Sequence, residues 1–214
     1  MKTKMITEKP IIFKPEMIRA LQKNKKTVTR RLVDPQPPGF VDWLEYIGRL
    51  DDSEKRYFRG YMQPGEPTVH HTKAKYWPLL NLWVRETFMK MTCPANSLML
   101  NCKEGENDDG WYKHGNSLYY FKADDTSDNP DDSWSSPLFL PRIASRFLLK
   151  ITDVKIERLH ELDDIDAILE GCKNRVDYAR LWNEINGKSG YTWDKNPWVY
   201  RIQFENMGAN YGGN

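Results

Sequence analysis

The chain has 214 residues, a length that fits one domain with insertions or at most two small domains, and it is long enough to form a core without disulfides or a structural metal. Its three cysteines show no CxxC spacing, and no stretch approaches the roughly 18 apolar residues of a membrane span, which predicts a soluble, cytoplasmic protein with reduced thiols. A net charge of +2 excludes wholesale electrostatic binding of a polyanion.

Charge is unevenly distributed along the chain. Residues 1–33 contain ten Lys and Arg against two Glu, a local charge of +8, whereas residues 104–135 contain nine Asp and Glu against two Lys, a local charge of −7. The basic segment suits contact with phosphates, and the acidic stretch would be kept away from them. Alternatively, the two segments form solvated surfaces of opposite charge that bind no ligand.

The predicted elements begin with a short helix over residues 15–23, because Pro15 suits the first helical position and Asn24 suits the C-terminal cap. The β-branched residues that follow predict a strand over residues 26–33. Strict alternation divides the side chains of this strand between two faces, with Thr27, Thr29 and Arg31 on one and Val28, Arg30 and Leu32 on the other.

From residue 34 to about residue 76, five prolines interrupt the pattern and predict a long surface insertion, with a hairpin around residues 57–62. The remaining predictions, in chain order, are strands at 79–88, 97–102 and 117–123, loops at 104–116 and 124–136, a strand at 147–159, a helix capped by Asp163 and ended by Gly171, a helix at 175–186, and a strand at 198–204. Short strands with helices at intervals and no βαβ rhythm indicate an α+β barrel.

Familiar catalytic and metal-binding motifs are missing from the sequence. His70 and His71 are adjacent, His114 and His160 stand alone, and none has a Cys or His partner at zinc-binding spacing. The sequence also contains no Gly-rich phosphate loop and no nucleophile elbow. We therefore expect neither a metal nor a cofactor.

The densest candidate site is the segment 25–31, which reads KKTVTRR. Repulsion among its four cations favours the neutral amine on a partly buried lysine, and such a lysine can serve as a base or a nucleophile. Neighbouring arginines can hold a phosphate or a carbonyl oxygen. A basic strand on a solvated face explains the segment equally well.

Two carboxylates are also candidates. Alternation places Glu86 on the buried face of its strand, where it needs a partner such as Arg30 or Arg31, either as a core ion pair or as part of a site. Glu170 ends a helix, where the dipole disfavours its anion and can raise its pKa into a range useful for proton transfer. An ordinary exposed glutamate is the alternative for Glu170.

These segments together resemble the ASCH family, and in particular its larger phage- and prophage-encoded members. The matching blocks, in chain order, are residues 10–17, 25–31, 82–88, 140–146, 151–154, 167–171, 181–183 and 196–199. The resemblance implies a small PUA-like β-barrel with flanking helices. It implies one domain over residues 1–206, with long insertions at about 34–75 and 103–136, and a flexible tail at 207–214.

The resemblance also implies a basic cleft beside the first helix, suited to RNA or a modified nucleobase. Small bacterial relatives resemble acetylcytidine amidohydrolases that use a Lys, a Thr and a Glu, which correspond here to Lys26, Thr29 and Glu170. Further residues of these blocks are candidates for contacting the substrate or nucleic acid: Thr27, Arg30, Arg31, Trp83, Arg85, Glu86, Ser145 and Arg146.

Three functional hypotheses remain open from the sequence. The protein hydrolyses an acylated cytosine amide, or it is an RNA-binding module in which Trp83 or another exposed aromatic stacks a base, or it is a metal-independent ribonuclease. The carboxylate within about 3 Å of Lys26 would identify whether Glu86 or Glu170 belongs to the site. A strict strand separates Lys26 from Thr29, so their meeting requires a bulge or a turn.

Overall fold

The computed structural model describes residues 7–38, 43–48, 56–63, 66–92, 107–108, 111–127, 129 and 132–208. Hydrogen bonds between strands form a mixed sheet and an antiparallel sheet, and helices are few, so the fold is α+β. The elements are β1 (Glu8–Ile12), α1 (Pro15–Gln22), β2 (Val28–Leu32), β3 (Trp43–Gly48), β4 (Tyr57–Gln63), β5 (Glu66–Lys73), β6 (Asn81–Arg85), β7 (Phe88–Thr92), β8 (Asn107–Asp108), β9 (Trp111–His114), β10 (Ser117–Phe121), β11 (Leu148–Arg158), α2 (Asp164–Leu169), α3 (Arg175–Asn186) and β12 (Trp198–Asn206).

The chain divides into two compact units. The first contains residues 1–24, 81–150 and 206–214, and the second contains residues 25–80 and 151–205. Each unit is therefore built from segments that are distant in sequence. The predicted single domain with insertions stays a prediction.

In the first unit, β6 lies between β1 and the beginning of β11. It pairs with β1 in parallel and with residues 148–150 of β11 in antiparallel. The strands β7, β10, β9 and β8 form the antiparallel sheet in that order. Aromatic and apolar side chains from this sheet and the segment after it form a buried cluster, consisting of Phe88, Tyr119, Phe121, Leu140 and Ala144.

Helix α1 confirms the prediction for residues 15–23. Pro15 occupies the first turn, where its missing N–H costs no hydrogen bond. Met17, Ile18 and Leu21 lie on one face and are buried, which anchors the helix in the first unit. The chain leaves the helix at Asn24, which adopts a left-handed conformation with φ 54°.

In the second unit, β2 pairs in antiparallel with β12, and Thr29 lies opposite Ile202. The strands β3, β4 and β5 form an antiparallel meander whose first strand meets β11 where Leu44 lies opposite Ile156. Helices α2 and α3 pack with β12 around one apolar cluster, formed by Leu159, Leu162, Ala167, Tyr178, Trp182 and Val199. Burial of each large side chain of this kind contributes about 1.5–3 kcal/mol.

The structure corrects the sequence predictions in three places. The stretch 34–76 was predicted to be irregular but contains β3, β4 and β5, and the expected hairpin at 57–62 is one strand of that meander. The loop predicted at 104–116 contains β8 and β9. The strand predicted at 79–88 is divided, since β6 ends at Arg85 and β7 begins at Phe88.

The other predicted elements have a simpler outcome. The predictions near 117–123, 147–159, 163–171, 175–186 and 198–204 are confirmed by β10, β11, α2, α3 and β12. The strand predicted at 97–102 and most of the predicted tail lie outside the described residues. Within the described part of the chain, no helix is both long and apolar enough to cross a membrane.

Candidate functional site

Lys26 lies in a short connection between α1 and β2. The strand begins only at Val28, so the predicted strand from residue 26 is too long at its start. The backbone of Thr27 is anchored on both sides, because its N–H donates to Leu169 O at 2.9 Å and its carbonyl accepts from Phe204 N at 3.0 Å. Lys26 therefore does not follow the alternation of the strand, and the residue is 1% exposed.

The Lys26 ammonium is held by three oxygen atoms. Its Nζ donates to Glu170 Oε2 at 2.7 Å, to Glu170 O at 2.8 Å and to Val28 O at 2.9 Å. Glu170 is the residue that follows the last turn of α2, and it is only 2% exposed, so it is not the ordinary surface glutamate of the alternative interpretation. Of the two candidate carboxylates, Glu170 is the one that contacts Lys26.

Arg30 contacts three carboxylates from its position in β2. Its Nε donates to Glu157 Oε1 at 2.8 Å, its Nη2 also binds Asp166, and its Nη1 lies 3.5 Å from Glu170 Oε1. Arg201 binds Asp166 on the other side, with Nη2 2.9 Å from Oδ1. Three cations thus compensate three carboxylates, and we call this set the Lys26 cluster: Lys26, Arg30, Arg201, Glu157, Asp166 and Glu170.

Two facing atoms of the Lys26 cluster lack hydrogen bonds. Arg30 Nη1 and Glu170 Oε1 are buried, and neither has a hydrogen-bond partner among the described residues. Their separation of 3.5 Å gives an electrostatic attraction without a well-formed hydrogen bond. A buried donor and a buried acceptor therefore lie side by side without a hydrogen bond. This arrangement lowers the free energy of unfolding unless another molecule binds the two atoms.

Burial and neighbouring charges together shift the pKa values of the two central cations in opposite directions. It lowers the pKa of Lys26, and the nearby Arg31 lowers that pKa further, although Glu170 opposes the shift. Burial would also lower the pKa of Arg30, but the charges of Glu170 and Glu157 outweigh it and raise that pKa. Arg30 consequently stays charged, whereas Lys26 is the cation that gives up its proton more readily than an ordinary lysine.

The neighbouring residues of the basic segment surround this pair. Thr29 is completely buried, and its hydroxyl accepts a hydrogen bond from Arg31 Nη1 at 3.0 Å, as expected for two side chains on the same face of a strand. Thr27 and Arg31 are partly exposed. The thiol of Cys172 is also influenced by this pair. Burial and the charge of Glu170 raise the pKa of the thiol to about 11, and the charge of Lys26 opposes that rise.

The other candidate residues belong to the first unit. Glu86 is buried, and its partner is Arg146 instead of Arg30 or Arg31, because Arg146 Nε donates to Oε1 at 3.0 Å and Nη2 to Oε2 at 2.6 Å. The same guanidinium binds Asp124, and the Tyr112 hydroxyl at 3.2 Å. Burial raises the pKa of Glu86 against the effect of Arg146. The core ion pair is therefore the interpretation of Glu86 that the contacts favour.

Trp83 is not an exposed stacking surface. It is 8% exposed, and the Arg85 guanidinium lies 4.5 Å from its ring centroid. Ser145 is buried beside the same strand, where its hydroxyl donates to Val84 O at 2.8 Å. Stacking of a base on Trp83 or on another exposed aromatic stays a prediction, and Trp83 itself is buried in this structure.

Three members of the Lys26 cluster were not among the candidates from the sequence. Asp166 lies one helical turn before Glu170, and this i, i+4 spacing on a short helix is a signal that could have identified it. Glu157 and Arg201 carry no such signal, because they join the cluster only through the pairing of strands. No group of three or more His, Cys, Asp or Glu within the described ranges has an arrangement that could hold a metal.

Comparison of the chain with protein-family models, with curated proteins and with solved structures found no match. The function has therefore to be inferred from the residues themselves and from the geometry of the Lys26 cluster.

Proposed function

We propose that the protein is an ASCH-type hydrolase that removes an acyl group from the amine of a cytosine nucleoside or a similar modified base. The observation that carries the proposal is the 2.7 Å contact between Lys26 Nζ and Glu170 Oε2, two buried residues 144 positions apart in sequence. Together with buried Thr29, these are the residue types that the resemblance assigns to the reaction. A PUA-like barrel is part of this proposal, and the α+β fold supports it.

The reaction requires a base and an acid. Because its pKa is lowered, the Lys26 ammonium gives up a proton more readily than that of an ordinary lysine, and the amine so formed takes a proton from water while the oxygen of that water attacks the acyl carbon. The proton then crosses the short contact to Glu170, which delivers it to the amine nitrogen as the carbon–nitrogen bond breaks. The products are the free base and the carboxylic acid.

Arg30 and Glu170 supply recognition as well. An amide presents an oxygen that accepts and a nitrogen that donates, and Arg30 Nη1 and Glu170 Oε1, which form no hydrogen bond, offer the complementary donor and acceptor. Arg30 stays charged, so it stabilises the negative charge that develops on the acyl oxygen. The hydroxyl of Thr29 orients the attacking water or the amide oxygen.

Access to the Lys26 cluster requires movement. The side chains of Lys26 and Glu170 are 0% and 1% exposed, so a substrate contacts them only after neighbouring groups move aside. Arg31 and Cys172 are partly exposed and close enough to influence the Lys26 pKa. The proposal requires these two residues to move so that a substrate can reach the cluster.

The RNA-binding and ribonuclease hypotheses have less support from the contacts. Arg30 and Arg146, two of the cations expected to meet phosphates, are buried and bound by carboxylates. An arginine held in this way does not compensate an additional phosphate without leaving a buried carboxylate unpaired. Both hypotheses nevertheless give distinct results in the experiment that tests the hydrolase.

The test is hydrolysis of acetylcytidine by the purified protein, with cytidine and acetate measured by mass spectrometry. We expect turnover by the wild type and a loss of about 100-fold or more in Lys26→Ala, because the base is removed. Lys25→Ala is the matched control, since Lys25 is adjacent in sequence but exposed, and it should keep full activity. Circular dichroism of each variant checks that the fold is retained.

One outcome would contradict the role of Lys26, and two would contradict the hydrolase itself. Lys26→Ala could retain wild-type turnover, which would remove Lys26 from the mechanism. The wild type could leave acetylcytidine intact but cleave RNA without added metal, which would indicate the ribonuclease. It could also bind RNA with an affinity that falls steeply with salt and show no chemistry, which would indicate the binding module.

A further inference from the structure

The hydrogen bonds of the Arg30 guanidinium lie along one edge of the group. A guanidinium has one N–H on Nε and two on each Nη nitrogen. Arg30 Nε donates to Glu157 Oε1 at 2.8 Å, and Nη2 lies 2.6 Å from the same oxygen and also donates to Asp166. Nη1 forms no hydrogen bond with any described residue. The protein thus binds two of the three nitrogens and leaves the third as an unused donor.

Of the two carboxylates on this edge, Glu157 has the larger effect on the orientation of the guanidinium. Its Oε1 lies within 2.8 Å of two guanidinium nitrogens, whereas Asp166 binds Nη2 and is shared with Arg201. A guanidinium is planar and rigid, so two nitrogens held against one oxygen determine the direction of the third. The contacts with Glu157 therefore determine where Nη1 lies.

Nη1 lies beside the carboxylate that binds Lys26. It is 3.5 Å from Glu170 Oε1, and the other oxygen of that carboxylate accepts from Lys26 Nζ at 2.7 Å. The Arg30 side chain is 0% exposed, so its orientation is determined by protein contacts. An unused donor is consequently held in a fixed direction next to the contact that carries the proposed function.

We infer that Glu157 is a positioning residue, which orients the Arg30 guanidinium so that Nη1 is the donor beside Glu170 Oε1. The consequence for catalysis rests on the proposed hydrolase, in which Nη1 binds the acyl oxygen of the substrate. Glu157 acts on that reaction through Arg30, because its contacts are with the opposite edge of the guanidinium. A donor displaced by about 1 Å loses much of its stabilisation of the transition state.

Two substitutions of Glu157 separate the position of its oxygen from its charge. Glu157→Gln removes the charge but keeps an oxygen at the same reach, and that oxygen can accept from both nitrogens as Oε1 does. Glu157→Asp keeps the charge but withdraws both oxygens by one methylene group. A positioning role predicts that glutamine replaces glutamate better than aspartate does, and simple compensation of the Arg30 charge predicts the reverse.

The first measurement follows the Arg30 Nε–H in the full chain without substrate. Its exchange with water, measured by nuclear magnetic resonance, reports the hydrogen bond to Glu157 Oε1. We expect exchange about tenfold faster in Glu157→Asp and close to the wild-type rate in Glu157→Gln. Glu205→Asp is the matched control, since it makes the same change at an exposed position of β12 and should leave the rate unchanged. Equal rates in all variants, or faster exchange in Glu157→Gln than in Glu157→Asp, would overturn the inference.

The second measurement is the kinetics of acetylcytidine hydrolysis. Glu157→Asp should lower kcat about 10- to 100-fold. Its KM should change less than about threefold, because the contact with Nη1 strengthens with a charge that develops only in the transition state. Glu157→Gln should stay within about fivefold of the wild-type kcat. A larger loss of kcat in Glu157→Gln than in Glu157→Asp would contradict positioning, and circular dichroism checks that both variants are folded.

The two measurements distinguish a failure of this inference from a failure of the hydrolase. Wild-type protein that leaves acetylcytidine intact contradicts the hydrolase, and the exchange rates, which need no substrate, then decide the role of Glu157 by themselves. Active wild-type protein in which Glu157→Asp changes neither the exchange rate nor kcat refutes the role of Glu157 and leaves the hydrolase standing.

Discussion

Lys26 depends on Glu170 for its burial. Both side chains are removed from water, and an isolated ion in such a place costs several kcal/mol. The pair is tolerable because three oxygens surround the ammonium and because Arg30 lies beside the second oxygen of Glu170. The positions of the two residues are consequently coupled, whatever reaction they serve.

Glu170→Gln should lower the free energy of unfolding by about 3–5 kcal/mol, because it leaves the Lys26 ammonium without its counter-charge. Denaturation in urea measures the loss. Lys26→Met introduced into the same chain should recover part of it, since the uncompensated charge is then removed. A double variant whose loss equals the sum of the two single losses would show that the residues act independently.

The geometry of Arg146 gives a second prediction. Its guanidinium forms two parallel bonds to Glu86, and lysine cannot reproduce them. Arg146→Lys should therefore cost about 1–3 kcal/mol of stability. Arg142→Lys is the control, because the pair of Arg142 with Glu8 is about one-third exposed and should contribute no more than about 1 kcal/mol. Equal losses in both variants would contradict the argument from burial.

Helix α2 is the element that positions the acidic side of the Lys26 cluster. It has only six residues, yet it carries Asp166 and leads directly into Glu170. A helix this short depends on its caps, and the Asp163 side chain accepts from Asp166 N at 2.7 Å while Gly171 leaves the helix with φ 91°. The sequence predicted both ends correctly because capping is a local property.

Asp163→Ala should destabilise the protein by about 1 kcal/mol through loss of this cap. Because α2 leads directly into Glu170, the same change should also reduce acetylcytidine turnover. Asp153→Ala on β11 is the control, since that side chain makes no hydrogen bond within the described ranges, and it should change stability by less than about 0.5 kcal/mol. Unfolding in urea compares the two variants, and equal losses would argue against the cap.

The sequence predicted some elements better than others for physical reasons. Periodicity and capping residues are local features of the sequence, and they predicted helices α1, α2 and α3 and the long strand β11. The meander of β3, β4 and β5 was missed because its prolines and charges obscure alternation, and Pro67 is tolerated on β5 because that strand lies at the edge of its sheet. Pairing partners are a tertiary property that one strand does not encode.

The Lys26 cluster was predictable to a similar extent. The resemblance nominated Lys26 and Glu170, and the structure brings them into contact. It also nominated Thr29, which instead accepts from Arg31. The roles of Glu157 and Arg201 could not be predicted, because charges far apart in sequence meet only when β2, β11 and β12 pair.

At the scale of the whole molecule, acid should destabilise the fold. The pKa of Asp125 is held down by hydrogen bonds from Lys122 and Ser127, and that of Asp166, which burial alone would raise, is lowered by Arg201 and Arg30. Each carboxylate binds protons less readily folded than unfolded. Its stabilising contribution is present above its unfolded pKa, about 3.9, and is lost as the pH falls through the folded value.

Thermal unfolding from pH 6 downward measures this effect. The melting temperature of the wild type should fall most steeply below about pH 4, and Asp166→Asn should be less stable at pH 6 with a shallower fall. Asp194→Asn, at an exposed position, should follow the wild-type curve. A curve for Asp166→Asn that runs parallel to the wild type would contradict the assignment.

The pairing of β2 with β12 also affects how the protein is made. Strand β2 ends at Leu32, whereas its partner begins at Trp198. At synthesis rates of about 5–20 residues per second, the ribosome needs on the order of ten seconds or more to pass from one to the other. During that time Arg30 has been synthesised but its partners Glu157, Asp166 and Glu170 have not all emerged. The nascent chain therefore carries its basic segment unpaired, and nucleic acid or a chaperone can reach that segment before its carboxylates do.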